Sequence, residues 1–193
     1  MKNVCDNIKH RKTANDVIHT PPSVALQMID MCELKEGEKV LDPSAGDNKV
    51  FYNNFPDFVN KDYCEITEGK NFFEYNEKVD FVIGNPPYSM WDKWLQHTME
   101  ITDKFCYIFN NFNFTPPRLT KIMNNGYGIT KIHLVSIDWW FGPSVMAVFE
   151  KNKPSIINIM PKVYCEICGK RCNRGLGGRS KNECSPTVSK SKK

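Results

Sequence analysis

Val24, Met28 and Met31 recur at helical spacing behind Thr20-Pro21-Pro22, a pattern that predicts a helix capped by Thr20 with proline in its first turn. A polar turn over residues 35–38 leads into a short strand, Lys39-Val40-Leu41-Asp42, which ends in Pro43-Ser44-Ala45-Gly46. A short helix is expected over 50–55 and a second strand over 61–66. The apolar run 79–84 reads as a buried strand and passes directly into Asn85-Pro86-Pro87-Tyr88. Beyond it, 90–101 has a helical pattern, 105–109 is a strand, and 117–124 is a helix opened by a second Thr-Pro-Pro. Two last strands, 129–137 and 145–150, are joined by a short turn around Gly142-Pro143 and so must be antiparallel. Strands alternating with helices predict an α/β doubly wound sheet with a terminal antiparallel strand. No internal repeat is present.

Composition narrows the class. The 193 residues, 40% hydrophobic and 25% charged, suit one globular domain over residues 1–160 and a small appendage over 161–193. The first eleven residues are polar and lack the apolar core of a secretory signal. No apolar run approaches the roughly 20 residues of a transmembrane helix. Cys5, Cys32, Cys64 and Cys106 are scattered, which reads as reduced thiols in a cytoplasmic protein that does not engage membranes. The net charge of +4 is unevenly placed. Residues 162–193 hold nine basic and two acidic residues, a net +7; residues 1–161 hold seventeen basic and twenty acidic, a net −3. A basic tail of this kind commonly meets nucleic acid, and equally occurs as a solvated end.

In an open α/β sheet, ligands bind at the carboxyl ends of the strands near the switch point. Four segments fall there. In Asp42-Pro43-Ser44-Ala45-Gly46 the glycine lets backbone approach a ligand. Glu65 ends the second predicted strand, where an acidic residue typically accepts from ribose hydroxyls. Asn71-Phe72 can hydrogen-bond and stack on an adenine ring, although Phe72 also suits the core. Asn85-Pro86-Pro87-Tyr88 ends the strongest strand, and its chemistry is specific. An adenine amino group is a poor nucleophile because its lone pair is delocalised into the ring. The Asn85 side-chain oxygen and the Pro86 carbonyl can together accept both N–H groups, concentrating density on nitrogen and stabilising the developing positive charge. The prolines stiffen the loop, and Tyr88 offers an aromatic face to a flipped base. Trp139, Trp140 and Phe141 precede a turn, where one could cover the other face of that base; core packing explains each as well.

The order Thr-Pro-Pro helix, Asp-Pro-Ser-Ala-Gly loop, Glu65, then Asn-Pro-Pro-Tyr resembles the amino-methylating DNA adenine N6-methyltransferases, most of all small phage-type enzymes, over roughly residues 13–150. The resemblance implies a Rossmann-like class I sheet and S-adenosylmethionine as cofactor. It places Thr20 and Pro21 against the cofactor's methionine part, Asp42, Ser44, Ala45 and Gly46 in its binding loop, Glu65 on the ribose, and Asn71 and Phe72 on its adenine. It gives Asn85 and the Pro86 carbonyl the target amino group, Pro87 a place in the same catalytic loop, and Tyr88 the stack on the target base. Two positions depart from the family: Asn48 stands where a second glycine is usual, and asparagine tolerates left-handed backbone; Asn71 stands where an acid is usual, and it can still accept from an adenine amino group.

Within the tail, Cys165-x-x-Cys168 with Cys172 and Cys184 offers four thiolates for a structural zinc, against the reading of a flexible thiol-bearing end. Only about forty residues follow Glu150. Recognition of a DNA site then falls to loops, the basic tail or a partner subunit. RNA adenine methylation shares the tetrapeptide chemistry. The pattern also admits a protein glutamine methyltransferase, whose substrate carboxamide presents a similar amino group, and a catalytically silent nucleic-acid-binding protein.

Overall fold

The computed structural model describes residues 18–140 and 142–160. Its elements are α1 (Pro22–Met31), β1 (Lys39–Asp42), α2 (Val50–Asn54), β2 (Asn60–Tyr63), β3 (Phe81–Gly84), α3 (Trp91–Ile101), β4 (Lys104–Asn110), α4 (Pro116–Asn124), β5 (Tyr127–Val135) and β6 (Ser144–Lys151). Three single 3-10 turns, Ile66–Glu68, Phe72–Glu74 and Tyr88–Met90, interrupt the loops. The strands of the described residues form one sheet in the order β2-β1-β3-β4-β6-β5. β2, β1, β3 and β4 are parallel; β6 runs antiparallel to both β4 and β5.

Period-two alternation sorts the side chains into two cores. On one face Val40, Phe81, Ile83, Cys106, Ile108, Met146 and Val148 join Val24, Ala25, Met28 and Ile29 of α1 and Val50 and Phe51 of α2. On the other face the aromatics of β4 meet α3. Phe109 lies edge-on to Trp91 at 4.6 Å, and Phe105 stacks on Phe149 at 4.7 Å. Tyr107 Oη reaches Thr98 Oγ1 at 2.7 Å, so the buried phenol is satisfied. Burial drives its pKa far above the usual value.

The predicted order of elements matches, with differences at the edges, among them β5, which runs Tyr127–Val135 where 129–137 was expected. β2 ends at Tyr63; Cys64 still donates to the Asp42 carbonyl at 2.8 Å and accepts from Ala45 N–H at 2.9 Å, and Glu65 then bridges to Lys70. Val79 stands outside β3, its N–H donating to the Ile101 carbonyl at 3.0 Å. Thr20 does not cap α1. The capping position is Pro21, whose carbonyl accepts from Val24 and Ala25 N–H at 3.0 Å.

Strand order reverses between β1 and β3, which places the switch point at their carboxyl ends. Gly84 allows the two strands to close there. A Cβ on it would stand 2.8 Å from Pro43 Cδ and 3.3 Å from Asp42 Oδ1. That close approach brings the loop after β1 and the loop after β3 onto one cavity.

Candidate active site

A cavity of about 600 Å³ opens at the switch point, within the ~300–1,000 Å³ range of small-molecule sites. Its wall brings together Thr20, Ser44, Ala45, Gly46, Glu65, Asn71, Phe72, Asn85 and Pro87 from the candidate set. Pro21, Asp42, Pro86 and Tyr88 do not line it.

The loop after β1 is built from its own hydrogen bonds. Asp42 is fully buried and accepts from Ser44 N–H at 3.2 Å and Tyr52 N–H at 3.3 Å, tying β1 to α2. Burial raises its pKa from 3.8 to about 7; the two N–H groups oppose the rise and the Glu65 charge adds to it. The structure therefore gives Asp42 a bracing task beneath the loop in place of the expected cavity-lining one. Gly46 adopts left-handed backbone, φ 63°. The second left-handed residue is Lys49, φ 46°, and not Asn48. Its ammonium is held by Tyr63 Oη at 3.1 Å and Glu68 Oε1 at 2.8 Å.

Glu65 couples this loop to the end of β2. Its Oε2 accepts from Gly46 N–H at 2.8 Å, and its Oε1 accepts from Thr67 N–H at 2.9 Å and Thr67 O–H at 2.7 Å. Burial pushes the carboxyl pKa upward, but the Thr67 and Gly46 donors outweigh it and hold the group below the usual glutamate range. A carboxylate offers about four acceptor positions, so three are engaged and one remains on Oε2. Asn71 is tied locally, accepting from Phe73 N–H at 3.1 Å and donating to Glu74 at 2.9 Å. Phe72, 3% exposed, stacks on Trp94 at 4.4 Å and meets the edge of His97 at 4.8 Å. It belongs to the core and to the cavity wall at once.

Asn85 stands at the end of β3 with its amide orientation determined. Nδ2 donates to the Ile18 carbonyl at 3.3 Å and to Thr20 Oγ1 at 3.2 Å, while Ser44 Oγ donates to the Asn85 carbonyl at 3.1 Å. Asn85 Oδ1 is buried and has no hydrogen-bond partner among the described residues. A buried acceptor left unsatisfied costs about 1–3 kcal/mol, so such a group in a cavity wall points to a donor that arrives with a ligand. Tyr88 is half-buried and meets the edge of Trp91 at 6.2 Å. Trp139 is 72% exposed, Trp140 packs on the α1 face of the core, and Phe141 lies outside the described residues.

Several lining residues were missed from the sequence: Ile18, His19, Cys64, Thr67, Lys70, Met90 and Trp94. Thr67 carried a weak signal, two residues past Glu65, and Trp94 a stronger one, three residues past Trp91 on one helix face. Cys64 is buried, its pKa raised to about 12 by burial, then by Asp62 and Asp42; Cys32 and Cys106 are also free thiols. The four tail cysteines, Cys165, Cys168, Cys172 and Cys184, and Cys5 lie outside the described residues. Among the described residues no group of three or more His, Cys, Asp or Glu could hold a metal ion, and no helix is long and apolar enough to cross a membrane.

No family model matches the chain, and no characterised protein matches it in sequence. Solved structures share its fold. Ribosomal protein L11 methylase from Lactobacillus delbrueckii subsp. bulgaricus is 9% identical with a TM-score of 0.52, covering 67% of this chain and 78% of that one. Magnesium protoporphyrin IX methyltransferase from Synechocystis PCC 6803 with bound SAM is 14% identical, TM-score 0.51, covering 67% and 76%. Precorrin-6y C5,15-methyltransferase from Geobacter metallireducens GS-15 is 12% identical, TM-score 0.50, covering 72% and 94%. At these identities the likeness is one of fold: the sheet is that of the Rossmann-like class I methyltransferases.

Proposed function

We propose that this chain is an S-adenosylmethionine-dependent methyltransferase that acts at a specific DNA site on the amino nitrogen of adenine. The observation that carries the reading is Asn85 Oδ1, a buried acceptor in the cavity wall whose amide partner Nδ2 is already committed. An acceptor fixed in this way suits a ligand that brings N–H donors. A nucleobase amino group does so, and the basic tail over residues 161–193 supports a nucleic-acid substrate for the catalytic domain over 1–160.

The cavity fits the cofactor. Its volume is adequate, it lies at the switch point, and its wall carries an ionised carboxylate with one acceptor position left. Glu65 would hold one ribose hydroxyl there, Asn71 and Phe72 the adenine, and the Ser44-Ala45-Gly46 backbone the remainder. Bound in that place, S-adenosylmethionine supplies a methyl group already activated by sulfonium. The chain's part is to bind and orient the target. Asn85 Oδ1 and the Pro86 carbonyl accept the two amino N–H bonds, which raises electron density on the nitrogen and stabilises the charge it acquires. Pro86 and Pro87 keep the loop from relaxing away from that geometry. Tyr88, braced by Trp91, would present its ring to the flipped base.

The deciding experiment is transfer of labelled methyl from S-adenosylmethionine to duplex DNA, single-stranded DNA, RNA and protein in parallel, with mapping of the product. N6-methyladenine in DNA is the expected outcome. Label confined to RNA would reassign the substrate, label on protein glutamine would replace nucleic acid altogether, and no label anywhere would remove the enzymatic reading.

A further inference from the structure

We propose that Thr20 is a positioning residue for Asn85: its hydroxyl holds the carboxamide in the orientation that the Ile18 carbonyl selects, and the site thereby accepts amino groups and rejects carbonyls. The inference rests on the reading of Asn85 as the target acceptor, and it departs from the expectation that Thr20 serves the cofactor.

The two ends of a carboxamide are nearly equal in size, so hydrogen bonding alone decides which faces where. A backbone carbonyl can only accept. The Ile18 carbonyl, 3.3 Å from Nδ2, therefore requires the NH2 end, because a flipped amide would set two acceptor oxygens against each other. Thr20 Oγ1, at 3.2 Å, takes the second N–H. Both donors of Nδ2 are then engaged, and Oδ1 is left buried with no hydrogen-bond partner among the described residues. Ser44 Oγ fixes the main chain of the same residue through its carbonyl. Thr20 is 4% exposed, so its hydroxyl does not trade this bond for bulk water.

The local chain places this threonine just outside a helix. Thr20-Pro21-Pro22 and Thr115-Pro116-Pro117 are the same tripeptide in different registers. α4 begins at Pro116, which makes Thr115 its capping residue. α1 begins one residue later in the tripeptide, at Pro22, so Pro21 occupies the capping position and Thr20 lies outside the helix. The proline that follows disfavours helical backbone at Thr20, and Pro21 is itself extended with ψ 141°.

The orientation has a chemical consequence. With Oδ1 presented, the site pairs with exocyclic amino groups such as those of adenine or cytosine. A flipped amide would instead present donors and pair with an exocyclic carbonyl such as that of guanine or thymine.

The test uses the full chain with Thr20→Val, which removes the hydroxyl at nearly constant shape, and Thr20→Ser, which restores it. Three quantities are measured: the Kd of S-adenosylhomocysteine by calorimetry, the solvent-exchange protection of the Asn85 side-chain amide by NMR, assigned through its loss in Asn85→Asp, and single-turnover methylation of duplex DNA. For Thr20→Val we expect an unchanged Kd, amide protection lowered roughly tenfold, and a maximal rate lowered roughly tenfold at unchanged KM, the scale of one hydrogen bond. Thr20→Ser should recover both losses. A weakened Kd with unchanged amide protection would return Thr20 to the cofactor, and a serine variant as impaired as the valine would make its role one of shape. Both results overturn the proposal. Should the wild-type chain methylate nothing, the functional reading fails by itself, and the amide protection still decides the clamp.

Discussion

Glu65→Gln is the most incisive substitution at the cavity, because it changes one atom's hydrogen-bonding sense and almost no volume. The wild-type carboxylate accepts from Gly46 N–H, Thr67 N–H and Thr67 O–H at 2.8, 2.9 and 2.7 Å. A glutamine must turn its NH2 group toward one side. Facing Gly46, it opposes an N–H donor and loses that bond; facing Thr67, it opposes another N–H. The first arrangement loses less, since Thr67 then keeps both its bonds. Stability loses one hydrogen bond to a charged acceptor, about 1.5–3 kcal/mol, and the acceptor position on Oε2 open to the ribose disappears with it, a loss of about the same size in binding. Affinity for S-adenosylhomocysteine should fall by about 10- to 100-fold, since each ~1.4 kcal/mol is tenfold. Calorimetric titration measures this directly, with denaturant unfolding run alongside. The folded pKa of Glu65 lies below its usual value of 4.5, so its stabilising charge is fully present above that value and is lost as pH falls through the lower, folded one. The stability gap between wild type and variant should therefore hold at neutral pH and close in acid. An unchanged affinity would show that Glu65 braces the loop without touching the cofactor; a gap that fails to close in acid would refute the charge-based account itself.

Asn85→Ala should leave S-adenosylhomocysteine binding intact and lower methyl transfer by about 100-fold or more, the usual loss for a pre-organised transition-state contact; rates near wild type would remove Asn85 from the chemistry. Asp42→Asn should abolish a pH dependence. Because burial raises the folded pKa to about 7, the wild type loses stability through this group as pH rises from about 4 to about 7, by up to about 4 kcal/mol, and is flat above. Unfolding free energies across that range should slope downward for the wild type relative to the variant, and parallel curves would contradict the assignment. Gly84→Ala places a Cβ against Pro43 and should cost about 1–3 kcal/mol of stability while loosening cofactor binding, read by denaturation and titration together.

What could be read from the sequence was whatever rests on local pattern. The apolar runs around Ile83 and Ile108 announce strands buried on both faces, because successive side chains face the two cores in turn. That Ser44-Ala45-Gly46 and Asn85 lie at the switch-point cavity was legible because position at a strand's carboxyl end is itself a local fact. What escaped depends on contacts between segments far apart in the chain. Asp42 looked like a ligand contact, yet two N–H groups, one ten residues away at Tyr52, draw its carboxylate beneath the loop. Asn48 looked like the residue of unusual backbone, yet the strain falls on Lys49, where Tyr63 and Glu68 meet its ammonium.

Asn85 and its surroundings show where that boundary runs. The tetrapeptide advertises an acceptor, but an asparagine is an acceptor at one end only, and the sequence around it is silent on which end faces the cavity. The deciding partner is the Ile18 carbonyl, a backbone atom 67 residues away that every residue type carries. A main-chain group leaves no mark in composition, spacing or motif, so even a correct motif assignment leaves the polarity of the site open. That polarity comes from the tertiary path that brings the Ile18 carbonyl and Thr20 hydroxyl to Asn85, and on the proposed role of Asn85 it separates a site for amino groups from a site for carbonyls.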